Sequence, residues 1–348
     1  MGKNREGFRP TEYLLFAAVT LAVLILCVCL GSVWVPPGEI LGAMRDAVMD
    51  AVRGGNSTPG GVAAPIILSV RLPRVLCVAL TGAALSLAGA AMQGLLRNPL
   101  ADGSTLGVSS GASLGAVLVI AFGASIPQLG SVGVAASAVA FAFASLVLIM
   151  SLAYRLDYSL STNTIILVGV IFSMFANSVI SLVVTFAGDK ARNIMFWTMG
   201  SLADSTYGNA AALLAALVVC GGVLLLSARE LNAFAIGEDN ARNIGVNVRR
   251  VKLSVLVAVS VLIGVCVSIG GTIGFVGLVT PHMTRMVVGP NHRRLLPASL
   301  FTGATFLMLA DLVGRTILRP RELPIGVVTS FVGALLFIYI FYSTRKEG

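Results

Sequence analysis

One stretch of the chain, residues 251–288, reads VKLSVLVAVSVLIGVCVSIGGTIGFVGLVTPHMTRMVV. It is apolar for much longer than the roughly 20 residues that a helix needs to cross the hydrocarbon core of a membrane. The glycine pair Gly270-Gly271 interrupts it, and glycine allows the backbone angles that a turn requires. We therefore predict two membrane helices in this stretch, over 252–271 and 273–288, of which the second is short.

The rest of the chain repeats this apolar pattern. Of its 348 residues, 57% are hydrophobic and only 11% are charged, whereas soluble domains carry about 25% charged residues. Because so few charges cannot cover a soluble surface, the sequence predicts a single all-α polytopic membrane domain over 1–348. Ten spans are predicted, and the third and eighth are candidates for broken or re-entrant helices. The eight spans outside the opening stretch are 13–34, 75–96, 105–124, 131–154, 163–187, 206–227, 297–317 and 324–342.

The polar connections and the charges predict how the chain lies in the membrane. Residues 38–53 mix apolar and charged side chains at helical spacing, which predicts a short amphipathic helix on the outer surface. The Gly/Ser/Pro-rich stretch 54–65 then serves as a flexible connection. With the N-terminus inside, 15 of the 24 Lys and Arg residues fall on the inner side, which predicts both termini in the cytoplasm. Nine positive residues remain outside, against this bias.

The HExxH zinc-protease motif and the nucleotide-binding phosphate loop are missing from the sequence. There is no HExxH, and the only Gly-Lys dipeptide is Gly2-Lys3, which excludes a phosphate-binding loop. Two histidines and five cysteines without a CxxC pair predict no metal site. The net charge of +9 is scattered between apolar blocks, which favours anionic lipid over nucleic acid as a partner. Any ATP that drives this protein must therefore bind to another subunit.

One acidic residue, Asp311, lies inside a predicted span. Arg315 follows it at i+4, so the two side chains can pair on one helix face. An ionisable residue within a membrane helix is also a candidate for ion coupling. Two hypotheses stay open at this point: a structural pair, or a proton- or sodium-coupled secondary transporter that uses Asp311.

Small residues recur in the third span and beside it. Gly107, Gly111 and Gly115 form a double GxxxG, a spacing that favours close packing of two helices in lipid. A translocation pathway would be lined by small and weakly polar side chains. The candidates for that lining are Gln93, Ser109, Ser110, Ser113 and Asn177.

Several local patterns are not explained by membrane insertion, and they carry a resemblance. They are Arg71-Leu72-Pro73-Arg74, Arg97-Asn98-Pro99-Leu100-Ala101-Asp102, the segment 231–245, Gly274–His282 (GFVGLVTPH) and Glu322–Gly326 (ELPIG). At these residues, in this order and over about Thr11 to Tyr342, the chain resembles the permease subunits of type II, binding-protein-dependent ABC importers. Members of that family carry iron–siderophore chelates, haem or cobalamin.

The resemblance implies the fold and the partners of the chain. It implies a ten-helix type II ABC importer permease in the bacterial cytoplasmic membrane, paired with a second permease subunit as a homo- or heterodimer. Two ATP-binding subunits would bind ATP and Mg²⁺, and an extracytoplasmic solute-binding protein would deliver the cargo. A ferric siderophore is the first expectation for that cargo, with haem and cobalamin open.

The resemblance also implies roles for two groups of residues. The segment 229–250 would form a coupling segment that docks on an ATPase, where the alternative is a solvated loop. Its candidate residues are Leu231, Phe234, Gly237, Glu238, Ala241, Arg242 and Gly245. Outer arginines would dock the binding protein through charge-assisted pairs, where the alternative is anchoring to lipid headgroups. The candidates are Arg71, Arg74 and Arg315, with Arg319 and Arg321 as further possibilities.

Overall fold

The computed structural model describes residues 9–31, 66–103, 106–123 and 130–346, together with the single positions 38, 42 and 45. The predicted amphipathic helix 38–53 and the connection 54–65 lie outside the described residues, apart from those three positions. Within the described ranges the chain is all-helical, as predicted, with thirteen α-helices. They are α1 Pro10–Cys29, α2 Leu72–Leu96, α3 Val108–Phe122, α4 Gly130–Leu156, α5 Thr162–Phe186, α6 Ala191–Thr198, α7 Tyr207–Leu226, α8 Ala228–Ala235, α9 Glu238–Asn243, α10 Val248–Gly270, α11 Val276–Val288, α12 His292–Thr316 and α13 Ile325–Lys346.

Each of the ten predicted spans coincides with one of these helices. In the part of the chain that the structure describes, seven helices are long and apolar enough to cross a membrane: α1, α2 with the π-helical turn Ile67–Arg71 before it, α4, α5, α7, α10 and α12. The third and eighth predicted spans, α3 and α11, have only 15 and 13 residues. They are the two spans that the sequence marked as candidates for broken helices.

The break between α10 and α11 lies where the glycine pair predicts it. Helix α10 ends at Gly270, and Gly271 and Phe275 both have positive φ, of 67° and 66°. A side chain at Gly271 would collide with the carbonyl oxygen of Trp197, so this position needs glycine both for its backbone angle and for its close neighbour. The short α11 can therefore turn back into the bundle within five residues.

Helix α2 is the centre of the bundle, and small residues let its neighbours approach. It packs against α12, α11, α7 and α10. A Cβ atom on Gly82 or Gly89 would collide with the backbone of Gly303 in α12 or Gly277 in α11. In the same way Gly111 faces Ser145 and Gly115 faces Ser137. The double GxxxG of α3 is thus a packing face against α4, which agrees with the structural reading of that motif.

Two names are used below for the ends of the bundle, after the predicted orientation. The inner end holds α8 and α9 together with the turn between α4 and α5, residues 157–161. The outer end holds α6, the C-terminal end of α1 and the segment 317–324. The chain passes between these two ends along each long helix.

Candidate functional site

A buried charge cluster joins α2 and α12 at the outer end. Arg74 donates from Nε and Nη2 to Asp311 Oδ1, at 3.1 and 2.9 Å, and from Nη1 to Glu322 Oε2 at 2.7 Å. Arg315 Nε lies 2.8 Å from Asp311 Oδ2. Arg315 Nε makes no hydrogen bond, so this contact is an ion pair. The predicted pairing of Asp311 with Arg315 is confirmed, and Asp311 is only 2% exposed.

Three outer arginines, Arg71, Arg315 and Arg319, cap the C-terminal end of α1. Arg71 Nη1 donates to the carbonyls of Val28 and Cys29 at 3.2 and 3.3 Å. Arg315 Nη2 donates to Cys27 O at 3.2 Å, and Arg319 Nη2 to Gly31 O at 2.7 Å. The last carbonyls of a helix have no partner within the helix and carry its negative dipole end, so guanidinium groups suit them. Much of the unexpected outer positive charge therefore serves the fold itself.

This geometry bears on the arginines predicted to dock a binding protein. Arg71, Arg74 and Arg315 are 6%, 9% and 4% exposed and turn their charges inward. Their docking role stays a prediction, and the internal contacts do not favour it. Arg319 and Arg321 are exposed at the same end, so a partner can reach them.

A large crevice of about 1440 Å³ lies at the outer end. Its walls come from α4, α6, α10 and the connections before α7 and α13. Arg74, Asp311 and Glu322 of the charge cluster form part of its wall, beside Asp204, Asn193 and Trp197. The charge cluster thus links α2 to α12 and also forms a polar part of the crevice wall.

A second, smaller cavity of about 200 Å³ lies where α3 begins and where α10 gives way to α11. It brings together four of the five predicted pathway residues: Ser109, Ser110, Ser113 and Asn177. We call it the middle cavity. Asp102, Thr272 and Phe275 also line it. The sequence did not predict these three residues as cavity-lining. They lie in connections between helices, and the periodicity of the sequence does not show where such connections run.

The fifth predicted pathway residue, Gln93, lies apart from the middle cavity. It is 3% exposed, and its Nε2 donates to the carbonyls of Gly277 and Leu278 at 3.3 and 3.1 Å. Its Oε1 accepts from Arg285 Nη2 at 3.2 Å. Gln93 therefore joins α2 to the first turn of the short helix α11. The Gly277 carbonyl needs such a donor because the residue four positions later is Pro281, which has no N–H.

Helix α5 carries an exposed polar stripe beside the middle cavity. Asn177 and the hydroxyl-bearing residues Ser178, Ser181 and Thr185 are exposed on it. The hydroxyls of Ser178, Ser181 and Thr185 donate to carbonyls four residues earlier, at 2.9, 3.0 and 2.9 Å. These bonds lower the cost of the hydroxyls in an apolar setting, but the amide of Asn177 remains a poor match for lipid.

The inner end carries the predicted coupling segment as two short helices, α8 and α9, joined at Gly237 with φ of 114°. Leu231, Phe234 and Ala241 are each 0% exposed. They attach the segment to the bundle and are not available to a partner. The surface that the segment presents instead includes Ile236 and Ile244, 60% and 65% exposed.

Polar residues around these isoleucines complete that surface. Asp239 and Arg242 form a loose i,i+3 pair at 3.8 Å, and both are exposed. Gly245, with φ of 90°, ends the segment in open space. Glu238, predicted among the docking residues, turns inward instead, with Oε2 2.8 Å from Lys252 Nζ.

Helix α8 has a separate polar anchor. Asn232 Oδ1 accepts from the backbone N–H of His292 at 2.8 Å and lies 2.9 Å from the Nδ1 atom of its ring. Asn232 Nδ2 donates to Asn291 Oδ1 at 2.8 Å. The His292 ring lies directly against Gly94, where any side chain would collide with Nε2. This anchor holds α8 to the start of α12 and to the inner end of α2.

An apolar helical bundle with a broken helix beside a polar cavity, and a two-helix surface at one end, is the architecture of a membrane transport subunit. The chain belongs to the FecCD transport family, which matches residues 19–343. It is 44% identical to the uncharacterized ABC transporter permease protein YvrB of Bacillus subtilis, over 81% of this chain and 80% of that protein. It is 41% identical to the cobalamin import system permease protein BtuC of Halobacterium salinarum, over 79% of this chain and 73% of that protein.

A solved structure agrees with this assignment. The fold matches that of a metal-chelate type ABC transporter in an inward-facing conformation with a TM-score of 0.83. The identity is 29%, and the match covers 96% of this chain and 100% of the other. The resemblance stated from the sequence is thereby confirmed: the chain has the fold of a type II ABC importer permease, a subunit that works with a second permease and with separate ATPase subunits.

Proposed function

We propose that the chain forms half of the membrane pathway of an ABC importer for a metal chelate. The observation that carries this proposal is the polar stripe of α5 beside the middle cavity. A helix that faces lipid alone gains nothing from an exposed amide and a row of hydroxyls. The same stripe suits a water-lined passage between this chain and a second permease subunit, either a copy of itself or a related chain.

The coupling segment supports a docking site for an ATPase at the inner end. Ile236 and Ile244 offer two exposed apolar anchors within a charged surround, as interfaces between subunits do. ATP and Mg²⁺ would bind to the two ATPase subunits, and their closure would push on α8 and α9. In this proposal the inner end and both termini face the cytoplasm, in the cytoplasmic membrane of a bacterium.

The experiment that tests this docking is co-purification of the chain with its ATPase. Ile236→Asp with Ile244→Asp places charges in the apolar anchors, and we expect the ATPase to be lost from the purified complex. Asn243→Asp is the matched control, because it adds a charge to the same exposed helix without removing apolar surface. Retention of the ATPase by the double variant at the level of the control would refute the docking site.

The cargo is the second part of the proposal. We propose a ferric siderophore, as expected from the resemblance, with cobalamin as the second candidate because a relative at 41% identity is named as a cobalamin import permease. The solute-binding protein would dock at the outer end, where Arg319 and Arg321 are exposed, and release the chelate above the crevice. Titration of that binding protein with ferric siderophores, haem and cobalamin, followed by uptake into proteoliposomes, distinguishes the candidates.

The rival hypothesis uses Asp311 for proton or sodium coupling. Asp311 lies between two arginines: it accepts two hydrogen bonds from Arg74 and forms an ion pair with Arg315. These contacts support a structural role. Uptake by the chain in liposomes without any ATPase subunit would favour the rival. Uptake that requires both ATP and the ATPase would exclude it.

A further inference from the structure

The inward-facing side chain of Glu238 joins three separate parts of the inner end. Its Oε2 accepts from Lys252 Nζ in α10 at 2.8 Å, and its Oε1 accepts from Thr162 Oγ1, at the start of α5, at 3.2 Å. Lys252 Nζ also donates to the carbonyl of Leu160 at 2.7 Å. Helix α9, helix α10 and the turn between α4 and α5 therefore meet at one ion pair.

The turn that Lys252 holds is a stiff unit. Asp157 Oδ1 accepts from the backbone N–H and the hydroxyl of Ser159 at 2.8 and 2.6 Å, and Oδ2 accepts from the backbone N–H of Ser161 at 3.1 Å. These bonds from Ser159 and Ser161 hold the pKa of Asp157 well below its usual range. Leu160 completes the turn with φ of 51°. A force on the Leu160 carbonyl therefore moves the whole turn, and with it the start of α5.

Lys252 is an unusual choice for this place if packing is its only task. It is 1% exposed, and burying an ammonium group has a desolvation penalty that an apolar side chain of similar volume avoids. The pair thus adds little that methionine could not add to stability. What a methionine cannot do is join a carboxylate on α9 to a carbonyl in the turn.

The two helices of the coupling segment also have different attachments. Helix α8 is held to α12 through Asn232, whereas α9 is held to α10 and the turn through Glu238. Gly237 lies between them, and the position of its missing side chain has no atom closer than 3.6 Å. A push on the segment can therefore reach α9 and α5 without moving α8 by the same amount.

We propose that Glu238 and Lys252 are positioning residues of the transport cycle, because their ion pair makes the α4–α5 turn follow α9. This inference rests on the proposed docking of the coupling segment to an ATPase. Movement of the turn shifts the start of α5, the helix that carries the polar stripe along the middle cavity. The ion pair is then the path by which events at the ATPase reach that cavity.

The test uses the complete complex with its ATPase and binding protein in nanodiscs or proteoliposomes. In Lys252→Met we expect basal ATP hydrolysis to continue while transport per ATP falls on the order of five-fold or more, the usual size of a coupling between sites. The double variant Glu238→Gln/Lys252→Met leaves no unpaired buried charge, and we expect the same loss from it. Arg250→Met is the matched control, because it removes an exposed cation two residues away on the same helix.

Hydrogen exchange with and without a non-hydrolysable ATP analogue distinguishes a link from a mere structural contact. In the unchanged protein, the analogue should change the hydrogen-exchange rates of residues 238–243 and of residues 157–164. In the variants it should change only the rates of residues 238–243. An equal response of 157–164 in the double variant, or unchanged transport per ATP, would overturn the role of the ion pair alone. No response of 238–243 in the unchanged protein would overturn the docking of the coupling segment and this proposal with it.

Discussion

Asp311→Asn is the substitution that tests the buried charge cluster most directly. The carboxylate receives two hydrogen bonds from Arg74 and an ionic contact from Arg315 at 2.8 Å. Asparagine can keep the contact of Oδ1 with Arg74, but its amide NH₂ then faces Arg315, a donor against a donor. The variant therefore leaves two buried guanidinium groups without their shared anion.

The structure also indicates how much free energy of unfolding Asp311→Asn should lose. Breaking a buried ion pair by removing one partner costs about 3–5 kcal/mol. Arg74 keeps Glu322, and Arg315 keeps the carbonyl of Cys27, so we expect the lower end, about 3 kcal/mol. For a chain of this size that loss lowers the melting temperature by about 5 °C or more.

The five cysteines provide the assay. All five are free and buried, so a fluorogenic maleimide reacts with them only as the protein unfolds in detergent. Glu322→Gln is the matched control. The Glu322 side chain is 38% exposed, so its replacement should lower the free energy of unfolding by about 1 kcal/mol or less. A melting temperature of Asp311→Asn equal to that of the unchanged protein would refute the structural role. Normal stability with loss of ATPase-independent uptake would favour ion coupling.

Three further predictions concern other contacts. Gly89→Ala should destabilise the protein by about 1–3 kcal/mol in the same assay, because its new methyl group collides with α11. Gly222→Ala, which places a methyl group in open space within α7, should leave stability unchanged or raise it, because alanine favours a helix over glycine. Arg71→Met should uncap α1, so mass spectrometry should show faster maleimide labelling of Cys29 than in the unchanged protein; an unchanged rate would contradict the capping. The hydrogen bonds to Asp157 lower its pKa in the folded protein. Its stabilisation of the α4–α5 turn is therefore complete above the ordinary carboxyl pKa near 4. That stabilisation is lost only as the pH falls through the lower pKa of the folded state. Hydrogen exchange of that turn, corrected for its intrinsic pH dependence, should show constant protection from pH 5 to 8, and Asp157→Asn should lower this protection at every pH in the range.

Much of the architecture could be predicted from local patterns. A membrane helix is recognised by a run of apolar residues, which is a property of neighbours in the chain, and each predicted span coincides with a helix. The break at Gly270-Gly271 was predictable because glycine readily adopts the backbone angles found at Gly271, a φ of 67° with a ψ of −161°, which residues with a side chain avoid. The packing role of Gly111 and Gly115 followed from their spacing, although the partner helix α4 did not.

The direction of side chains at the two ends could not be predicted in the same way. A sequence shows that Arg71 and Arg74 lie at a helix end, but not that the carbonyls of α1 and a carboxylate of α12 are within their reach. Those partners come from residues 42 to 237 positions away. Glu238 was assigned to the partner surface for the same reason, since Lys252 becomes its neighbour only when α9 folds back on α10.

Hydrophobicity and glycine placement are local, so the sequence was sufficient for the membrane class, the positions of the long apolar helices, the chain break and the family. Which charges face a partner and which hold the bundle together depends on contacts between distant segments. Burial in lipid and protein makes an unpaired charge costly, and each buried arginine therefore takes whatever carbonyl or carboxylate the packing brings near. Only the folded bundle shows which of the outer arginines are occupied and which of the inner residues link the coupling segment to the cavity.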